Sequence, residues 1–162
     1  MRIARIAGLL AMLAVASPAL AANESPGAKV PRFASLRSGE VNVRTGPGVR
    51  YPVDWVFVRK NMPVEVVAEF DTWRKIRDWQ GTEGWVHQSM LSRRRTAVVL
   101  GDTITLRRTA APESPTVAQA EAGVIGQVIE CREAWCRFEA EGVKGWVERE
   151  RLWGVYPQET IK

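Results

Sequence analysis

Residues Arg32 to Pro52 read RFASLRSGEVNVRTGPGVRYP, and residues Arg95 to Pro115 read RTAVVLGDTITLRRTAAPESP. Laid over one another without gaps, Arg32 falls on Arg95, Ala34 on Ala97, Val41 on Ile104, Val43 on Leu106, Arg44 on Arg107 and Pro52 on Pro115, an offset of 63. Further along the offset shortens: Trp73 meets Trp135 at 62, and EGWV at Glu83 to Val86 meets KGWV at Lys144 to Val147 at 61. Slips of one residue arise where the hairpin loops of two copies differ in length. The chain therefore holds one unit of about 60 residues written twice and joined near SRRRT.

The apolar residues of each copy come in short runs, such as VNV, PVEVVAEF and GWV, separated by Gly, Pro, Asn and Asp. That spacing predicts strands and turns throughout. The nearest approach to a helical period, TVAQAEAGVI, is interrupted by Gly123 and Gly126 and reads as a strand entering a turn. A unit of this size has little surface to bury and must close its sheet to avoid long free edges. The expected fold is all-β, two small five-stranded barrels in tandem, over residues 32–94 and 95–157 with a tail at 158–162. Whether TAVVL closes the first barrel, opens the second or bridges them stays open at this stage.

Ahead of the repeat, Arg2 and Arg5 precede the apolar run IAGLLAMLAVA and the small-residue pattern ALA at Ala19 to Ala21. This reads as a secretory signal peptide, residues 1–21, and implies a periplasmic or secreted protein. Residues 22–31 are polar and broken by Pro26, Gly27 and Pro31, a flexible leader. No cysteine follows the cleavage site, and no later stretch approaches the roughly 20 apolar residues of a spanning helix, so neither a lipid nor a transmembrane anchor is expected. Charge is unevenly divided: residues 32–95 carry 12 basic and 7 acidic side chains, and residues 96–162 carry 8 and 10. Copy one is the basic half. A basic barrel bearing aromatics also suits single-stranded nucleic acid, but export removes the protein from most of it. The cluster SRRR at Ser92 to Arg95 could touch an anionic polymer or membrane surface, though three charges make a weak signal.

The combination of VNVRTGPGVRYP, a tryptophan about twenty residues later and then GWV resembles the bacterial Src-homology-3-like domain. The segments GWVHQSML and GWVERERL extend that resemblance, which implies a short helical turn after the last hairpin of each copy. The tandem arrangement, with EFDTWRKIRDWQGTEGWVHQSMLS and the closing LWGVYP, resembles a periplasmic two-copy subfamily. The resemblance covers nearly all of the chain beyond the signal peptide. It also implies that the loop containing GPG flanks a ligand groove. The second copy, TLRRTAAPESP, lacks GPG.

Two copies of one fold supply an internal control: whatever both carry is architecture. Trp73 and Trp85 have counterparts in Trp135 and Trp146 and are expected to pack around the last hairpin. Trp79 has none, since copy two is small or charged around Ala140 and Glu141. Tyr51 lies over Ser114, and Trp55 over Ala118. Three extra aromatics on a small barrel mean either a binding surface or an interface. The candidate site is a cleft of Tyr51, Trp55 and Trp79. The alternative is packing against copy two or against LWGVYP, with Trp153 and Tyr156. Arg44 and Arg77, together with Arg50, Arg59, Lys60, Arg74 and Lys75, are candidate carboxylate donors suited to an acidic peptide or the stem peptide of peptidoglycan. A solvated charged face is the competing explanation for each. Peptidoglycan or a cell-wall peptide is the favoured ligand, and the main alternative is an extended segment of an envelope protein, which an aromatic groove also suits.

CREAWC places Cys131 and Cys136 at either end of a four-residue hairpin loop, within disulfide reach in an oxidising compartment. The spacing is not C-x-x-C, which disfavours a redox role. Two Cys and one distant His87 do not complete a metal site, so neither metal nor cofactor is expected. With His87 as the single histidine, a cysteine or serine hydrolase has no evident base. No pair of carboxylates is marked as glycosidase-like, and there is no phosphate loop or dinucleotide fingerprint. Wall hydrolases bearing such modules use a separate catalytic domain, by resemblance. The expectation is a non-enzymatic exported binding or adaptor protein.

Overall fold

The computed structural model describes residues 29–162. The expected signal peptide, and the leader up to residue 28, lie outside the described residues. The first copy contains β1 (Arg32–Leu36), β2 (Val41–Arg44), β3 (Val53–Phe57), β4 (Pro63–Phe70), β5 (Trp73–Arg77), β6 (Glu83–His87) and β7 (Leu91–Ser92). The second contains β8 (Thr96–Val99), β9 (Ile104–Arg107), β10 (Thr116–Ala120), β11 (Ile125–Arg132), β12 (Trp135–Ala140), β13 (Val143–Glu148) and β14 (Leu152–Trp153). Each forms one sheet, ordered β3-β2-β6-β5-β4-β1-β7 and β10-β9-β13-β12-β11-β8-β14. Adding seven to every label of the first order gives the second, so the duplication seen in the sequence is a duplication of topology.

Each sheet has seven strands rather than the expected five. A single 3₁₀ turn, Gln88–Met90 or Arg149–Arg151, follows the last hairpin and returns the chain as a two-residue strand against the first one. TAVVL is resolved by the same pairing: β8 opens the second sheet, between β11 and β14.

Local pattern dictates what each strand buries. In β2 Val41 and Val43 point inward and Asn42 outward, and Ile104 and Leu106 repeat this in β9. The first core gathers Leu36, Val41, Val43, Val64, Val66, Ile76 and Val86; the second gathers Val99, Leu106, Val128, Phe138 and Val147 with the Cys131–Cys136 disulfide. The glycine of GWV has a packing reason in both copies. A Cβ on Gly84 would overlap the Val43 side chain, and one on Gly145 would overlap that of Leu106. Only a bare α-carbon lets β6 cross β2 this closely.

The copies are joined through several contacts. Thr96 Oγ1 donates to the Asn61 carbonyl at 2.8 Å, Arg59 donates to the Gly123 carbonyl at 3.1 Å, and the Arg94 guanidinium holds Gln127 Oε1. Ile125 packs onto the first core. The closing segment then turns back over copy one. Phe33 meets Trp153 edge-on at 4.9 Å and Tyr156 at 4.6 Å, with the Arg95 guanidinium over its ring at 5.9 Å. In the tail, residues 158–162, Ile161 exchanges backbone hydrogen bonds with Cys131, at 2.9 and 3.2 Å.

Candidate functional site

The loop from Thr45 to Pro52 is built from its own backbone. Thr45 N–H donates to the Pro52 carbonyl at 3.1 Å, Gly48 N–H to Gly46 at 3.0 Å, and Tyr51 N–H to Gly48 at 3.2 Å. The Tyr51 ring packs against the bend; a Cβ on Gly46 would overlap it, so the bare α-carbon there makes room for this tyrosine. Arg44 reaches into the loop and donates to the carbonyls of Val49, at 3.2 Å, and Tyr51, at 2.7 Å. Its counterpart Arg107 donates to the Ser114 carbonyl at 3.0 Å, and Arg108, Ala111 and Ser114 repeat the backbone bonds. Copy two keeps the loop scaffold without GPG. What differs is the filling, Tyr51 in one loop and Ser114 in the other, where the serine hydroxyl accepts from Thr109 N–H at 2.8 Å.

Trp55 is placed differently. It sits on β3 opposite the buried Val43 and yet is 55% exposed. Directly opposed residues share a face, so Trp55 overhangs the rim of the barrel on the core side. The register shift between Val43 and Arg44 puts Val53 opposite Arg44, and Val56 opposes the exposed Asn42, so both lie on the outer face. Val49, 80% exposed in the loop, and Val58, 72% exposed just past the strand, flank it. Five of the nine large apolar side chains exposed among the described residues thus fall within residues 49–58. In the corresponding stretch of copy two, residues 112–121, Val117 alone is of this kind.

Trp79 does not join this surface. It is half-buried against the first core, and its ring meets Trp153 at 6.4 Å. The preceding Asp78, buried, fixes the turn by accepting from Gln80 N–H at 2.9 Å and Thr82 N–H at 2.8 Å. Arg77 is at the joint as well. It donates to Glu65 Oε2 at 2.5 Å, while the Tyr156 hydroxyl donates to Glu65 Oε1 at 2.8 Å. Burial first, then that hydrogen bond to Glu65, pushes the Tyr156 hydroxyl well above its ordinary value, so it stays a donor. The structure therefore leaves Tyr51 on the loop and Trp55 on the strand that follows it, assigns Trp79 to the contact between copies, and has Arg77 hold Glu65, the carboxylate that Tyr156 meets from copy two.

Most of the candidate carboxylate donors are engaged internally. Arg44 holds the loop, Arg74 pairs with Glu69 at 3.1 Å and Gln88 at 2.8 Å, Lys75 pairs with Glu83 at 2.5 Å, and Arg77 holds Glu65. Arg59 donates to Gly123. Arg50, over the Tyr51 ring at 5.3 Å, and Lys60 remain exposed on either side of β3 without an ion pair. His87 is used as an N-cap: its Nδ1 accepts from Ser89 N–H at 3.3 Å, and its ring stands edge-on to Trp73 at 5.6 Å.

Sequence reasoning did not single out Val49, Val53, Val56 and Val58 as part of a surface. Valines in a strand pattern read as core, and the signal that separates them is comparison with Thr116, Gln119 and Glu121 at offset 63.

With barrel topology, the loop after β2 and the GWV crossing duplicated, the class is defined. The chain belongs to the bacterial SH3 domain family, whose model matches twice, over residues 37–93 and 101–154. No curated protein matches it. Among solved structures it is similar to NlpC2 from Trichomonas vaginalis, at 9% identity and a TM-score of 0.38, over 82% of this chain and 51% of that one. NlpC1 from the same organism is similar at 10% identity and a TM-score of 0.35, over 84% and 50%. The chain spans about half the length of these two proteins. Among the described residues, no helix is long and apolar enough to cross a membrane.

Proposed function

We propose that this chain is an exported, non-enzymatic binding or adaptor protein of the cell envelope, periplasmic or secreted, whose first copy takes an extended peptide. The peptide belongs either to peptidoglycan or to an envelope protein. One observation carries the reading: five exposed apolar side chains gather in residues 49–58 of copy one, where copy two, folding the same way, exposes Val117 alone. The fold does not require them. Copy two supports and orients this surface through the joint.

Arg50 and Lys60 are the cations left to meet carboxylates of a stem peptide, a smaller set than the seven named from the sequence. Co-sedimentation of residues 22–162 with purified sacculi tests the wall reading, with Trp55→Ser and Trp79→Ala as comparisons. Binding lost in Trp55→Ser and retained in Trp79→Ala supports a wall peptide on copy one. Absence of wild-type sedimentation removes peptidoglycan and leaves the protein ligand.

A further inference from the structure

We infer that copy one binds its partner by strand addition, the free edge of β3 pairing with an extended apolar segment of another protein that is acidic at both ends. This rests on the reading that copy one carries the ligand surface, and it specifies the mode and the chemistry. β3 ends its sheet and pairs with β2 alone. Its outer edge therefore presents a row of backbone donors and acceptors to an incoming chain.

Edge strands in stable proteins are blunted by charge, proline or polar side chains. β10 occupies the same place in the second sheet and exposes the polar Thr116 and Gln119 on either side of Val117. β3 keeps one charge, Asp54, but exposes three large apolar side chains, Val53, Trp55 and Val56. An added strand alternates its side chains between two faces. On the core side they would meet Trp55, and on the outer face Val53 and Val56, so apolar side chains in the added strand gain contact on either face. Segments of about five to seven residues match the length of β3.

Charge specifies the ends of that segment. Arg50 lies just before β3 and Lys60 just after it, both exposed and without ion pairs, against the single Asp54 within the strand. Carboxylates at either end of the added chain would complement them. The same argument disfavours a second copy of this chain as the occupant. Antiparallel pairing of two β3 edges brings Arg50 of each toward Lys60 of the other, and like charges so placed repel.

The test uses isotope-labelled residues 22–162 and a capped nine-residue peptide, three valines alternating with two threonines between pairs of glutamates. A version with proline at the central valine and a version with lysines for glutamates serve as controls. Backbone amide shifts are expected to centre on β3 and β2, with affinity falling at least tenfold for each control peptide. Val56→Lys and, separately, Val53→Lys alter exposed positions that leave the core untouched; each should weaken binding at least tenfold with an unchanged amide spectrum elsewhere. Shifts centred elsewhere, or equal binding of the proline peptide, overturn strand addition and leave a peptide-binding protein of another mode. Binding by none of the peptides, with wild-type sedimentation on sacculi, overturns the inference and leaves the wall reading; loss of both overturns the two together. A dimer that Val56→Lys dissolves would assign the edge to a second copy and overturn the partner.

Discussion

Arg44 and Arg107 show how one residue type in register can mislead and then instruct. An arginine beside an aromatic loop looks like a ligand donor, yet its presence in both copies marks it as architecture, and each guanidinium holds a carbonyl of its own loop. Arg44→Met and Arg107→Met should each lower unfolding free energy by about 1.5–3 kcal/mol in urea denaturation, the range for hydrogen bonds that involve a charged group. Trp79→Ala should cost about 2–3 kcal/mol, below the loss from a fully buried tryptophan because the ring is half-buried. Glu159 supplies a pH signature. Its burial alone would raise its carboxyl, but the hydrogen bonds from Arg95 and Tyr156 N–H and the charges of Arg95 and Arg149 together hold it below the usual range. A depressed folded-state value adds stability above the unfolded value of about 4.3, lost as the pH falls through the folded value. Stability should drop on acidification below about pH 5, and Glu159→Gln should flatten that slope.

The elements were legible because alternation and turn residues agree with the fold at nearly every step. β2 and β9 could be read from VNVR and ITLR alone, and TVAQAEAGVI runs as a strand into a turn, β10 leading to β11. The two-residue strands β7 and β14 were not legible, since pairing that short is decided by where the 3₁₀ turn aims the chain. The three aromatics of the candidate cleft differ in how far local pattern places them. Tyr51 and Trp55 follow GPG and share a region, whereas Trp79 faces a residue 74 positions downstream whose placement no local pattern encodes. The CREAWC hairpin forms the disulfide it implied, and it is tighter than four residues. Arg132 already pairs with Trp135, leaving Glu133 and Ala134 as the turn. Replacing Cys131 and Cys136 together with serine should lower stability by about 2 kcal/mol by the loop-closure argument, measured in denaturant, with the amide spectrum of copy one unaffected.

At the scale of the whole molecule, the joint between copies sets what the two barrels do together. Thr96, Arg59 and Arg94 bond across it, and Phe33, Trp79, Trp153 and Tyr156 form its aromatic centre. Trp153→Ala removes the ring that touches both Phe33 and Trp79. Residual dipolar couplings that fit one alignment tensor in the wild type should then need two, one per copy. A single tensor in the variant would show that the remaining polar bonds hold the barrels alone. The same closing segment carries a consequence for biogenesis. Glu65 receives its hydroxyl partner from a residue 91 positions downstream, and Phe33 is covered by one ring from the last strand of the second barrel and one from the segment after it. A chain stopped before Trp153 would lack β14 and leave Phe33 bare, and that bare ring is the feature by which chaperones and proteases could tell an unfinished chain from a finished one.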